Sequence, residues 1–361
     1  TSTVSVLAGE QELSDSLVEG QRGTVFTDVT PFYATMGGQE GDVGVITGAN
    51  GTFAVEETIK LRGGKVGHVG VMQSGILSVG DAVEMQVEAA ARAATCKNHS
   101  ATHLLQKALR TVLGSHVEQK GSLVAPGRLR FDFAHFGAMT ADEIAEVEAL
   151  VNEQIAADLS VVTQEMTVDE AKKAGAMALF GEKYGDTVRV VTMGDFSKEL
   201  CGGTHVSHTG AITLFKIVGE SGVAAGVRRI EALTGDNVLA YYHDLEQRMA
   251  HIAATLKAKE NEVEDKIVHL QQQVKALTAE NEQLKNDMAK SAIGDITDQV
   301  VEVSGVKVLA TRVPTLDTAA LRELGDQMRD KIGEGIVVLV STSDDKVSIL
   351  VTATAGAVAR G

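Results

Sequence analysis

Three changes of pattern along the chain predict an α+β multidomain protein. Residues 1–90 hold short Val-rich runs between Gly- and Asn-rich turns, the mark of closely spaced strands. From about Glu88 the chain becomes Ala- and Leu-rich with helical period, then mixes helix and strand signals. Residues 237–290 contain neither Pro nor Gly, and apolar residues recur there at every seventh position. A length of 361 residues exceeds one ordinary domain and suits two to four.

The first segment, 1–90, reads as a small β-barrel or sandwich. Its runs are Thr24–Val29, Asp42–Thr47, Thr52–Lys60, Lys65–Met72 and Ala82–Val87, with turns at Gly37-Gly38, Ala49-Asn50-Gly51, Arg62-Gly63-Gly64 and Val79-Gly80-Asp81. The second, 91–236, reads as an α+β domain. A helix covers 88–113, two strands flank Ala125-Pro126-Gly127, and a helix runs from Thr140 to about Leu159. Thr140 with Glu143, and Thr167 with Glu170, have capping-box spacing. Strands are expected at Thr187–Thr192 and Ile212–Val218.

The third segment, 237–292, reads as one long helix with a coiled-coil seam. Met249, Leu256, Val263, Leu270, Leu277 and Leu284 form one heptad row, and Ile267, Val274, Asn281 and Met288 the other. Such a seam needs a partner, and a homodimer through 249–288 is expected, with Asn281 setting register. The last segment, 293–361, reads as a partial α/β domain: a strand near Val300–Val313, a helix near Leu316–Ile332, strands near Ile336–Ser341 and Val347–Thr352, and no closing element.

Charge and cysteine content narrow the function. A formal net charge of −16 argues against non-specific nucleic-acid binding, so an RNA partner needs a local basic surface. Residues 95–135 offer one: Lys97, Lys107, Arg110, Lys120, Arg128 and Arg130 stand against Glu118 and Asp132, and Arg228 and Arg229 add to the same domain. For each cation taken singly, an ordinary solvated side chain is the competing reading. Two cysteines, Cys96 and Cys201, exclude a disulfide framework and suit a cytoplasmic protein. No apolar run reaches membrane-spanning length, no secretory signal pattern is present, and the missing initiator Met suits a piece of a longer chain.

Two clusters point to a metal. His99 and His103 stand four apart on a predicted helix, one above the other and roughly 6 Å apart along the axis. Cys201-Gly-Gly-Thr-His205 places a thiol and an imidazole around paired glycines that permit a tight turn. Cysteine and three histidines make a zinc set. Neither cluster is specific alone, since HxxxH pairs arise by chance and a buried Cys is usually inert. No Glu follows His99, so the zinc-protease signature is absent. Cys96 and His208 have the right chemistry but read as bystanders.

An ordered series of motifs resembles the alanyl-tRNA synthetase family of bacterial type. It comprises Thr30-Pro-Phe-Tyr33, Gly37-Gly-Gln-Glu-Gly-Asp42, Asn98-His-Ser-Ala-Thr-His-Leu-Leu105, Gln119-Lys-Gly-Ser-Leu-Val124 and Leu129-Arg-Phe-Asp-Phe133. It continues through Gly175-Ala-Met-Ala-Leu-Phe-Gly-Glu-Lys-Tyr-Gly-Asp186, Cys201-Gly-Gly-Thr-His205 and Gly226-Val-Arg-Arg-Ile-Glu-Ala232. The resemblance implies a β-barrel, a zinc-dependent editing domain, a helical linker and a domain touching the tRNA elbow. It implies hydrolysis of Ser-tRNA(Ala) and Gly-tRNA(Ala), with tRNA(Ala) as partner and one zinc held by His99, His103, Cys201 and His205. It also places Thr102 and Gln119 in the editing pocket, Thr102 against a serine hydroxyl and Gln119 against the ester or the adenosine.

No class II adenylating signature occurs here, so the resemblance implies that ATP serves a region preceding Thr1. A glycine-rich stretch would follow Gly361. Two alternatives remain open at this stage. One is a non-catalytic RNA-binding and dimerisation module with structural zinc. The other is a threonyl-type editing domain, against which the Gly37-Gly38-Gln39 segment and the glycine pair between Cys201 and His205 argue.

Overall fold

The computed structural model describes residues 1–9, 12–176, 187–313, 315–316, 318–343 and 346–360. The chain divides into two compact units, Thr1–Glu246 and Gln247–Gly361. Most of the expected Gly175–Asp186 motif falls outside the described residues.

The first unit begins with strands β1 (Ser2–Ala8), β2 (Leu13–Ser14), β3 (Ser16–Val18), β4 (Arg22–Thr27), β5 (Gly44–Gly48), β6 (Gly51–Lys60), β7 (Val66–Ser78) and β8 (Ala82–Val87). Six of these close a barrel in the order β1-β4-β7-β6-β5-β8, and β8 returns to β1 through Ser2↔Val83. Closure removes both sheet edges. Alternate residues fill the interior, with Val4, Leu7, Val25, Ile46, Phe53, Met72 and Leu77 all buried. β1 was not expected from sequence, because its Ser and Thr residues dilute the apolar alternation.

Helix α1 (Ala89–Leu113) follows, its first amides capped by the Glu88 carboxylate. Strands β9 (Gln119–Val124) and β10 (Leu129–Ala134) flank the expected turn, and α2 (Ala141–Ala156) starts at a complete Thr140/Glu143 capping box. β11 (Val161–Thr167) leads into α3 (Val168–Lys173), whose Thr167/Glu170 box is also complete. Strands β12 (Thr187–Met193), β13 (Ser197–Leu200), β14 (Phe215–Ala224) and β15 (Val227–Thr234) complete two antiparallel sheets, β14-β15-β10-β9 and β11-β12-β13.

Leu104, Leu105, Ala108 and Leu109 of α1 pack with Phe131 and Phe133 of β10 and with Val147, Val151 and Ile155 of α2. The core therefore pins the middle of α1, where His99 and His103 sit. The strand expected over Ile212–Val218 starts only at Phe215. Thr213 adopts φ 70° after a 3-10 turn at Thr209–Ile212, which breaks the extended run.

The expected single long helix is two helices. α4 (Asp236–Leu256) contains the boundary between the units, and α5 (Val263–Ile296) lies wholly in the second. Lys257 turns left-handed at φ 50°, while its N–H reaches Ala254 O and that of Ala258 reaches Ala253 O. This is a Schellman stop, normally marked by Gly. Lysine in that position hides the stop from a reading based on Gly and Pro.

Within the second unit, β16 (Val301–Val303), β17 (Val306–Val313), β18 (Gly335–Ser343) and β19 (Lys346–Ala353) form one sheet in that order. β17 and β18 run parallel, joined through α6 (Thr318–Ile332). Leu321, Leu324 and Met328 of α6 bury against Leu309, Val337 and Leu339. Ser304 at φ 51° and Gly305 split the expected Val300–Val313 strand into the hairpin β16–β17. A short helix, α7 (Ala355–Val358), capped by Thr354, follows β19 where no further element was expected. Among the described residues, no helix is long and apolar enough to cross a membrane.

Candidate metal centre

His99 and His103 lie on successive turns of α1, their rings stacked 5.3 Å apart at 11°. The strand β13 ends at Leu200, and the next five residues carry Cys201 and His205 across these rings. Cys201 Sγ stands 3.3 Å from His99 Nε2 and 3.3 Å from His205 Nε2. Donor atoms of His99, His103, Cys201 and His205 all lie within 4.8 Å of one another. Cys96 and His208 stand outside this group; His208 is exposed and pairs with Asp158.

The loop reaches α1 because residue 203 has no side chain. A Cβ on Gly203 would sit 2.0 Å from His99 Cε1 and 2.7 Å from Gln39 Oε1. Neither Gly202 nor Gly203 has positive φ. The glycine pair was expected to permit a tight turn; at Gly203 it is close approach that requires it.

Each imidazole is held by its outer nitrogen. His99 Nδ1 donates to Gln39 Oε1 at 2.7 Å, His103 Nδ1 to Glu199 Oε2 at 2.5 Å, and His205 Nδ1 to Ser100 Oγ at 3.1 Å. These contacts engage every Nδ1 and leave each Nε2 facing the cluster, the usual support of metal-binding histidines. Gln39 is fully buried, and its Oε1 also accepts from Thr204 N at 2.9 Å while its Nε2 donates to Thr204 Oγ1 at 2.9 Å. A residue from the barrel side of the first unit thus orients both His99 on the helix and the loop that carries Cys201 and His205.

The electrostatics fit a cation. Burial pushes the Cys201 thiol up, but the surrounding imidazoles, His103 first, outweigh it and bring it down to about 2. Burial lowers His103, yet the Glu199 carboxylate and the Cys201 thiolate raise it to about 10. Burial leads in bringing His205 down to about 3. The buried Cys201 thiolate beside these rings is a charge that a bound cation would neutralise. His103 Nε2 is buried with no hydrogen-bond partner. An orphaned inward nitrogen beside a thiolate suits a bound metal ion and is compatible with zinc.

A cavity of about 410 Å³ opens beside His99, His103 and Cys201. Thr102 and Gln119 line it, as do Tyr33, Gln106, Ser122 and Arg189. Thr102 Oγ1 donates to Asn98 O at 2.8 Å, which leaves its lone pairs to accept. Gln39, Ser100, Glu199 and Arg189 were not singled out from sequence. A lone polar residue carries no spacing signal, although Gln39 and Ser100 stand inside the matching motifs.

The basic candidates are distributed differently. Arg128 pairs with Glu231 at 2.8 Å, Arg228 with Glu220 at 2.5 Å, and Arg229 with Asp132 at 2.7 Å. Arg130 lies 3.6 Å from Asp132. Lys97 is half-buried and lines a separate cleft with Glu88, Thr234 and Asp236. None of the five borders the metal cavity.

Residues 188–231, which hold Cys201 and His205, match the family described as "Threonyl and Alanyl tRNA synthetase second additional domain". Residues 1–91 match "tRNA synthetases class II (A)", although no adenylating signature is legible there. Alanine–tRNA ligase 1 of Lachnoclostridium phytofermentans is 56% identical over 361 residues, 100% of this chain and 41% of that protein. The alanine–tRNA ligase of Ralstonia nicotianae is 51% identical over 360 residues, covering 100% and 41%. That of Bordetella avium is 48% identical over 358 residues, covering 99% and 41%. The chain thus spans about two fifths of the length of these relatives. Since the whole chain aligns at this level and the matched segments hold both the barrel and the Cys201 loop, the chain belongs to the alanyl-tRNA synthetase family.

Proposed function

We propose that this chain performs the family's proofreading: hydrolysis of the ester joining serine or glycine to tRNA(Ala), with one zinc held by His99, His103, Cys201 and His205. The convergence of these four donors, three of them (His99, His103 and Cys201) on the wall of a cavity that Thr102 and Gln119 also line, supports this reading most directly. When bound, zinc would act as a Lewis acid toward the ester carbonyl or a water. Thr102, its proton engaged by Asn98, accepts a hydrogen bond from the seryl hydroxyl, and Gln119 steadies the ester or the adenosine. A second site of this kind is needed because size selection alone separates such small side chains by only about 1–3 kcal/mol.

In this reading the chain comprises a barrel over 1–90, an editing domain over 91–236, a helical linker over 237–292 and a tRNA-elbow domain over 293–361, working in the cytoplasm. The test is deacylation of Ser-tRNA(Ala), Gly-tRNA(Ala) and Ala-tRNA(Ala) by zinc-loaded protein. Rapid loss of the first two with sparing of the third is expected. Four protein ligands also suit a closed structural zinc; stoichiometric zinc without ester hydrolysis would establish that second reading.

A further inference from the structure

We infer that Arg189 binds the phosphate of the nucleotide whose ribose carries the ester, so that the cavity reads a nucleotide as well as an amino acid. The inference rests on the proposed proofreading of aminoacyl-tRNA. Apart from His99, His103 and Cys201, Arg189 contributes the one charged side chain among the described residues of the cavity lining. It projects from β12, and its Nη1 donates to Gly202 O at 3.1 Å, beside the Cys201 ligand. β12 and the loop are further joined by Cys201 N to Arg189 O at 2.9 Å. A guanidinium has five N–H donors, so this contact leaves most of them for a ligand. No ion pair holds Arg189 among the described residues, whereas Arg128, Arg228 and Arg229 are each held by a carboxylate.

The chemistry of the substrate selects what this guanidinium can meet. An aminoacyl ester has no free carboxylate, and its α-ammonium group would be repelled. The anion the substrate offers is phosphate, which a planar guanidinium binds through paired hydrogen bonds. With the ester carbonyl at the metal wall, Arg189 is the cation of the same cavity that the nucleotide's 5′-phosphate can meet.

The test uses two non-hydrolysable probes, 3′-seryl-amino-3′-deoxyadenosine with and without a 5′-phosphate, titrated calorimetrically into the zinc-loaded chain. The phosphorylated probe is expected to bind about tenfold more tightly. Arg189→Gln, which keeps an amide for Gly202 O but removes the charge, should erase that difference and leave the unphosphorylated probe unchanged. Arg189→Lys should restore part of it. Equal affinities in the unmodified chain, or an equal loss for both probes in Arg189→Gln, would overturn the inference and mark Arg189 as a loop brace. Failure of both probes to bind would instead sink the proofreading reading on which it rests.

Discussion

Gly203 approaches His99 so closely that one added carbon would lie 2.0 Å from the ring's Cε1. At the neighbouring Gly202, an added carbon would meet only Met36 Cε, at 3.7 Å. The two glycines of one motif therefore do different work. Gly203→Ala should weaken zinc binding by tenfold or more, because the loop must retreat from α1 and carry Cys201 with it. Gly202→Ala should stay within about threefold of the parent. Competition with a chromophoric chelator measures both.

Gln39 ties the barrel to the candidate metal centre through His99 and Thr204. Replacing it with Leu leaves the His99 ring free to turn and strands Thr204 N–H. Loss of such a supporting contact typically costs about 10–100-fold in metal affinity. The same titration on Gln39→Leu checks this, and an unchanged affinity would show that the barrel contact is incidental.

Ligand and pocket effects should separate. Cys201→Ala is expected to lose zinc and Ser-tRNA(Ala) hydrolysis together, since thiolate is the softest of the four donors. Cys96→Ala should change neither. Thr102→Val keeps all four ligands but removes the oxygen that accepts in the cavity; zinc content should hold while selection for Ser-tRNA(Ala) over Ala-tRNA(Ala) falls. Metal analysis beside the three deacylation rates distinguishes these cases.

The barrel should respond to pH through His68, which is fully buried between Val25 O and Thr30 Oγ1, each at 2.8 Å. Burial holds it below the ordinary histidine range, outweighing the hydrogen bond to Val25. The unfolded chain therefore binds the proton that the folded barrel refuses. Stability from this residue is complete above the unfolded value of about 6.5 and declines as pH falls below it, by at most about 1.4 kcal/mol per pH unit. Urea melts of zinc-loaded protein at stepped pH measure the slope, and His68→Gln should flatten it.

Self-association is expected through α5. Val274 and Met288 of one heptad row, and Leu277 and Leu284 of the other, are each more than half exposed. An apolar seam of this length in water calls for a partner. Sedimentation should show a dimer, and Val274→Glu with Leu277→Glu should return it to monomer with the deacylation rate unchanged. A monomer in the parent protein would exclude the homodimer.

Local chemistry made much of this protein legible in its sequence. Capping boxes at Thr140 and Thr167 start helices where their spacing says, because the bonds involved span only three residues. The i, i+4 spacing of His99 and His103 placed both rings on one face of α1, because helix geometry carries that information by itself. Contacts distant in sequence were decided by tertiary structure alone. Gln39 and His99 are 60 positions apart, and His103 and Glu199 are 96 apart, so no periodicity or motif links them. Lys257 stops α4 in a left-handed conformation without the glycine that usually announces such a stop. Whether an arginine is available to a ligand is also a tertiary matter. Arg128, Arg228 and Arg229 find carboxylates across a sheet, while Arg189 faces the cavity beside the metal donors.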